Sequence, residues 1–172
     1  MPKFYNPYIG SIGRFFDGDP TLRGYWQFNG NSLDNSGNGN NGTDINISYN
    51  QKGFREFVGS AYFNGSDSRI NIPNSSLLRP SNYFSIVLWI KTTQTSTGAI
   101  FTSYYQSPSV AGFEVFVNYV TSNKLVFLMG HGASRFTYVT SSKDINDGLW
   151  HCCIITMGQY NSTVRMFIDG LE

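Results

Sequence analysis

The chain has 172 residues, and its 12 Lys and Arg nearly balance 11 Asp and Glu, which leaves a formal net charge of +1 at pH 7. This balance excludes the strongly basic surface with which proteins neutralise nucleic-acid phosphates, so we expect no nucleic-acid partner. Aromatic residues make up 16% of the chain, charged residues only 13%, and glycines number 18, a composition typical of a β-rich domain with many turns. No apolar stretch approaches the roughly 20 residues of a membrane span, and the polar opening residues are not typical of a secretion signal.

The first twenty residues differ from the rest of the chain because apolar and polar residues do not alternate in them. They hold three of the six prolines and several scattered aromatic residues: Phe4, Tyr5, Tyr8, Phe15 and Phe16. Two interpretations remain open, a flexible leader or an arm that docks on a neighbouring protein subunit. We favour the arm. The predicted organisation is therefore an N-terminal arm or linker over residues 1–20 and one sandwich domain over residues 21–172.

A loop rich in Asn, Asp and Gly follows, from residue 29 to residue 44. Its oxygen-bearing side chains are candidate calcium ligands: Asp34, Asn35, Ser36, Asn38 and Asn41. Calcium takes six to eight oxygen ligands at about 2.3–2.6 Å and is often held by flexible loops. The alternative is a long turn in which Asn and Gly supply positive φ angles.

From residue 84 onward, apolar residues alternate with polar ones in several separate runs. The period of two predicts strands, and no segment shows the pattern of an amphipathic helix. Residues 87–90 and 152–155 are apolar at every position, so we expect these strands to lie in mid-sheet, covered on both faces. A short helical turn is predicted at residues 75–78, before Pro80. Many short strands with regular turns predict a two-sheet sandwich.

Several motifs occur in a fixed order along the chain. They are YWQF (25–28), LDNSGNGNNG (33–42), AYFNGSDS (61–68), FSIVLWI (84–90), GLWH (148–151) and MFIDG (166–170). This order resembles the laminin G-like members of the concanavalin A-like lectin/glucanase superfamily, over most of the chain. The resemblance implies an all-β, two-sheet antiparallel jelly-roll sandwich, and several members hold a structural calcium in the region of residues 29–44.

The resemblance also implies further strands after the turn at residues 169–170. We therefore expect the closing C-terminal strands to be missing from this chain. Either a longer protein continues beyond Glu172 or another chain covers the open sheet edge, and we favour the longer protein, because an uncovered edge exposes unpaired backbone groups.

Catalysis is not expected from this sequence. A retaining glycosidase needs two carboxylates about 5–5.5 Å apart, and the glucanases of the resembled superfamily carry theirs in a Glu-x-Asp-x-x-Glu pattern that is absent here. Glu114 lies in mid-strand without an acidic partner on its face of the strand. His151 stands where the resembled family also has Trp-His, and we expect it to be structural, hydrogen-bonded to a neighbouring turn.

Sugar recognition needs an aromatic platform for the apolar face of a pyranose and polar groups for its hydroxyls. Candidate contacts for a glycan or polysaccharide lie in the loops that many lectin-like sandwiches use: Tyr104, Tyr105, His131 and Arg135. The alternative is that these residues only fill the surface.

Two functions from different classes fit these observations, and a jelly roll can serve both. One is a non-catalytic carbohydrate-binding or adhesion module, which the resemblance implies. The other is a purely structural spacer of a virion or other large assembly, anchored by the arm. We favour an adhesion-type, lectin-like domain carried by a larger surface appendage, on the surface of a virion or phage particle or outside the cell.

Overall fold

The structure is a computed structural model that describes residues 19–55, 59–79, 83–105, 111–131, 136–158 and 164–172. The chain divides into two compact units, Met1–Leu78 and Arg79–Glu172. Residues 1–18 lie outside the described residues, so the N-terminal arm stays a prediction. Within the described ranges, no helix is both long enough and apolar enough to cross a membrane.

The first unit is built from short antiparallel strand pairs and long turns. Strand β1 (Thr43–Ile45) pairs with β4 (Arg69–Asn71), and β2 (Ser48–Lys52) pairs with β3 (Gly59–Tyr62). A 3-10 turn at Ser76–Leu78 follows. It confirms the helical turn that the sequence predicted at this place.

The second unit holds two antiparallel sheets. The three-stranded sheet has the order β11-β10-β5, and the four-stranded sheet has the order β6-β7-β8-β9. The strands are β5 (Phe84–Lys91), β6 (Gly98–Tyr105), β7 (Ala111–Val117), β8 (Lys124–His131), β9 (Phe136–Asp144), β10 (Trp150–Met157) and β11 (Val164–Ile168). Every pairing within these sheets is antiparallel. The predicted all-β fold with antiparallel sheets is therefore confirmed.

One apolar core joins the two sheets of the second unit. Successive strand residues point to opposite faces, so every second side chain enters the core. Val115, Leu125 and Phe127 come from the four-stranded sheet and are fully buried, as Ile155 is from the three-stranded sheet. The ring of Phe84 on β5 lies 5.1 Å from that of Phe113 on β7, centroid to centroid. The core residues of the two sheets thus form a single cluster.

The outer face of the three-stranded sheet corrects one prediction. The runs 87–90 and 152–155 were expected to be covered on both faces. Instead, Val87 is 58% and Trp89 is 44% exposed, and β5 is an outer strand of the described sheet. For 152–155 the predicted mid-sheet position is confirmed, since β10 lies between β11 and β5, but Cys152 and Ile154 are only half-buried. β-branched and aromatic residues suit a pleated surface even where one face stays open, so an all-apolar run does not prove burial on both faces.

Adjacent isoleucines on β10 allow a matched test of this arrangement. Ile155 is fully buried in the core, whereas Ile154 is half-buried on the outer face, between Val87 and Phe167. We expect Ile155→Ala to lower the free energy of unfolding by about 3–4 kcal/mol, because it leaves a cavity. Ile154→Ala should cost about 1 kcal/mol, since less apolar surface is lost from contact. Urea unfolding measures both, and equal losses would contradict the assignment of the two faces.

Candidate functional site

One end of the four-stranded sheet brings together most of the predicted sugar contacts. Tyr104 and Tyr105 end β6 and His131 ends β8, so the expectation that these residues lie in loops was wrong. The backbone register places Tyr105 opposite Ala111, and Ala111 opposite His131. Tyr104 lies in the next row, opposite Gly112. Strands lie about 4.7–4.9 Å apart, so the Tyr105 and His131 backbones are separated by roughly 10 Å, which is within the reach of one short oligosaccharide. Arg135 lies outside the described residues.

The sheet face beside this end adds residues that sequence reasoning did not combine. A further row runs across all four strands and contains Thr102, Glu114, Leu128 and Tyr138. These positions alternate with core residues, so they lie on the face turned away from the core. Tyr138 is 58% exposed, whereas Leu128 is only 6% exposed. The row therefore combines an accessible aromatic ring, a hydroxyl and a carboxylate with an apolar floor.

Glu114 is half-buried in this row. Burial raises the pKa of its carboxyl above the usual value. Its directly paired neighbours on the adjacent strands are Thr102 and Leu128, and neither is an acid. A single carboxylate in this position can accept hydrogen bonds from a ligand, but the row does not supply the second carboxylate that glycoside hydrolysis requires.

In the first unit, Asp34 is the centre of the Asn-rich loop. One carboxylate oxygen accepts hydrogen bonds from the backbone N–H groups of Tyr25 (3.0 Å) and Ser36 (2.9 Å). The other accepts two from Asn40, one from its backbone N–H (2.9 Å) and one from its side-chain amide (3.1 Å). Burial acts to raise the pKa of Asp34, but these hydrogen bonds outweigh it and hold the pKa below its usual value. Asp34 therefore fastens the loop as a hydrogen-bond acceptor.

The other candidate calcium ligands take part in the same network. The side-chain oxygen of Asn41 accepts from Asp34 N (2.9 Å), and Ser36 Oγ accepts from Asn38 N (3.2 Å). The side-chain amide of Asn38 donates to the carbonyl of Leu22 (2.9 Å). The backbone N–H of Asn35 donates to the carbonyl of Tyr25 (2.7 Å).

This network does not fit a calcium ion at the Asp34 carboxylate, because N–H donors, which carry partial positive charge, surround both oxygens. Gly37 and Gly39 have φ angles of 86° and 74°, as the alternative of a long turn requires. Within the described ranges, no group of three or more His, Cys, Asp or Glu side chains is arranged to hold a metal. Calcium bound by the loop stays a prediction.

Comparison with known protein families identifies the superfamily of this fold. A laminin G family model of the concanavalin A-like lectin/glucanases superfamily matches residues 64–172. The chain belongs to this superfamily. None of the curated proteins compared with the chain matches it. The resemblance found in the order of the sequence motifs is therefore confirmed. Since the superfamily includes both lectins and glucanases, membership by itself does not fix the ligand or exclude an enzyme.

In this laminin G-like domain, a buried histidine joins two turns of the second unit. His151 on β10 is only 2% exposed. Its Nδ1 lies 2.8 Å from Asp169 Oδ2, in the turn after β11, and its Nε2 lies 3.0 Å from Asp147 Oδ1, in the turn before β10. The expectation that His151 is hydrogen-bonded to a neighbouring turn is confirmed.

The protonation state of His151 follows from this geometry. A neutral imidazole has one N–H donor, so its second nitrogen would turn a lone pair towards a carboxylate. Only the imidazolium can donate to both acids. Burial acts to lower the pKa of His151, but the hydrogen bonds and charges of Asp169 and Asp147 outweigh it, and the pKa lies above its usual value.

Asp169 connects further groups to this histidine. Its carboxylate also accepts hydrogen bonds from Lys143 Nζ (2.5 Å) and from the backbone N–H of Cys152 (2.9 Å). The Lys143 bond is the largest of the effects that hold the pKa of Asp169 far below its usual value. Asp147 also accepts from the backbone N–H of Leu149 (2.8 Å). Every ionisable group of this cluster is engaged in holding the fold.

Proposed function

We propose that the chain is a non-catalytic carbohydrate-binding module that binds a glycan or polysaccharide at one end of the four-stranded sheet. The observation that supports this most is the register that brings Tyr105 and His131 into one row, two strands apart. Membership of a superfamily that includes lectins supports the same function.

The chemistry of the neighbouring row suits a sugar. The exposed ring of Tyr138 can lie against the apolar face of a pyranose, while Thr102 and Glu114 can bond its hydroxyls. Arg135 stays a candidate from the sequence, since it lies outside the described residues. The proposed site therefore spans the predicted contacts and the row beside them.

The proposed setting is an adhesion module of a larger surface appendage or virion, at the particle surface or outside the cell. In this setting the arm, residues 1–20, would dock on a neighbouring protein subunit. The alternative is a purely structural spacer without glycan binding. The exposed Val87 and Trp89 on β5 favour that alternative, since apolar side chains on an open sheet face suit a contact with another subunit.

Tyrosine substitutions test the proposed glycan site. After a glycan and polysaccharide screen of the purified protein, run with calcium and again with chelator, Tyr138→Ala and Tyr105→Ala should each raise the Kd of the best ligand about fivefold. Loss of an aromatic contact costs on the order of 1 kcal/mol, and 1.4 kcal/mol corresponds to a factor of ten. Titration calorimetry measures the Kd.

Tyr119→Ala is the matched control, because Tyr119 is 47% exposed and follows β7 at the end of the sheet opposite to Tyr105. It should leave the Kd unchanged. Absence of binding to any glycan by the folded protein would favour the structural spacer. An equal loss in the control would contradict the location of the site.

A further inference from the structure

Glu114 has no compensating partner in the described part of the protein. No hydrogen bond or ion pair among the described residues engages its carboxylate, and burial is the cause of its raised pKa. Other acids in this unit are engaged: Asp144 pairs with Lys124 (2.8 Å), and Asp169 pairs with Lys143 (2.5 Å). A half-buried acid without such a partner loses hydration and gains nothing in return.

The described residues around Glu114 do not compensate its charge. On its own row it lies between Thr102 and Leu128, a hydroxyl and an apolar side chain. Along β7, the next residue on the same face is Phe116, which pairs with Val126. Lys124, on the same strand as Leu128, is already bonded to Asp144 and to the carbonyl of Ser142. Among the described residues, the neighbourhood of Glu114 thus holds a hydroxyl and apolar side chains, of which Leu128 and Val126 are buried, and its one carboxylate is that of Glu114.

We propose that Glu114 makes the site selective for the charge of its glycan, so that it prefers sugars carrying a free amino group and rejects acidic sugars. This inference rests on the proposed function, because it names the ligand class of the same site. An ammonium group would donate charge-assisted hydrogen bonds to the carboxylate and restore the interactions that burial removed. A neutral sugar donates only hydroxyl hydrogen bonds, and a uronate or sulfate brings a like charge against Glu114.

The aromatic neighbour strengthens the preference for a cation. Tyr138 lies in the same row as Glu114, two strands away, and its exposed ring can contact an ammonium-bearing sugar over its face. The carboxylate of Glu114 and the ring of Tyr138 both favour a positive charge on the ligand. Charge complementarity between a site and its ligand contributes to specificity in this way.

Three oligosaccharides of equal length, offered to the whole chain, test the proposal. They are an N-acetylglucosamine oligomer, the same oligomer after removal of its acetyl groups, and a glucuronate-containing oligomer. We expect the de-acetylated oligomer to bind about tenfold more tightly than the acetylated one at low ionic strength, and the acidic oligomer to bind most weakly. Glu114→Gln should remove the preference for the amine, so that the Kd values of the acetylated and de-acetylated oligomers come within about twofold of each other.

A second variant controls for net charge. Glu172→Gln removes the same charge from an exposed residue that is ion-paired with Arg165, and it should leave the order of affinities unchanged. If the affinities for the three oligomers do not follow their charge, or if they still do so in Glu114→Gln, this inference is wrong while the proposed function still holds. Failure of the folded protein to bind all three oligomers and every glycan of the wider screen would overturn both.

Discussion

His151→Ala is expected to lower the free energy of unfolding by about 3 kcal/mol, the largest loss that we expect from a single charged side chain among the described residues. The substitution removes a fully buried ring, both of its hydrogen bonds and the charge between Asp147 and Asp169. Breaking a buried pair by removing one partner typically costs about 3–5 kcal/mol, and the partial exposure of the two acids places this case at the lower end. Urea unfolding followed by circular dichroism measures the loss.

The same cluster predicts a dependence of stability on pH. The pKa of His151 is raised above 6.5 in the folded protein, so its contribution is fully present below pH 6.5 and is lost as the pH rises through the folded value. The pKa values of Asp147 and Asp169 are lowered below 3.8, so their contributions are present above pH 3.8 and are lost as the pH falls through the folded values. The cluster therefore stabilises the fold most between pH 3.8 and pH 6.5.

Asp169→Asn removes the negative charge of this side chain and keeps the backbone conformation of the turn. Asp169 has a φ angle of 55°, and Asn tolerates this left-handed conformation as well as Asp does. The variant should lose stability at pH 6, and its stability should change less between pH 6 and pH 8.5 than that of the unmodified protein. If the stability still declines above pH 6.5 by the same amount in both His151→Ala and Asp169→Asn, another titrating group causes the decline.

Of the two carboxylate contacts of His151, one could be predicted from the sequence and the other could not. Asp147 lies four residues before His151, so local sequence alone points to a hydrogen bond with the neighbouring turn. Asp169 lies 18 residues after His151 and reaches it only because β11 pairs with β10. The motif at residues 166–170 predicts a turn at Asp169, but no local pattern predicts that its carboxylate contacts His151.

The same limit applies to the candidate site. Alternation identified the strands that carry Glu114 and Tyr138, whereas Tyr105 was expected in a loop, and the order of motifs identified the superfamily. The row that contains Glu114 and Tyr138 depends on the register of β7, β8 and β9, including an irregularity between β8 and β9. Such a shift moves a residue along its partner strand or to the other face, and the residue types alone do not fix it. The exposed face of β5 escaped prediction for a related reason, since apolar character does not say what covers it.

Asp34→Asn is expected to lower the stability of the first unit by roughly 2–3 kcal/mol, because the amide turns its own N–H groups towards donors that now lack an acceptor. The carboxylate accepts hydrogen bonds from Tyr25, Ser36 and Asn40, and the carbonyl of Asn40 accepts from the indole of Trp26 (3.0 Å). Amide hydrogen exchange at Ser36 and Asn40 measures the loss locally, within the first unit.

Asp44→Asn is the matched control for this substitution, since Asp44 is exposed and accepts one hydrogen bond from the hydroxyl of Tyr49 (2.9 Å). Asp44→Asn should cost less than about 1 kcal/mol.

Measuring stability with calcium and again with chelator separates the two interpretations of the loop. If Asp34 acts only as an acceptor of N–H groups, its substitution costs the same in both solutions. If the loop binds calcium, the ion raises the stability of the unmodified protein by about 2.7 kcal/mol at 100 times its Kd and does nothing for Asp34→Asn. The hydrogen bonds around Asp34 favour the first result, because a carboxylate that accepts N–H donors on both oxygens must give up some of them before it can bind a cation.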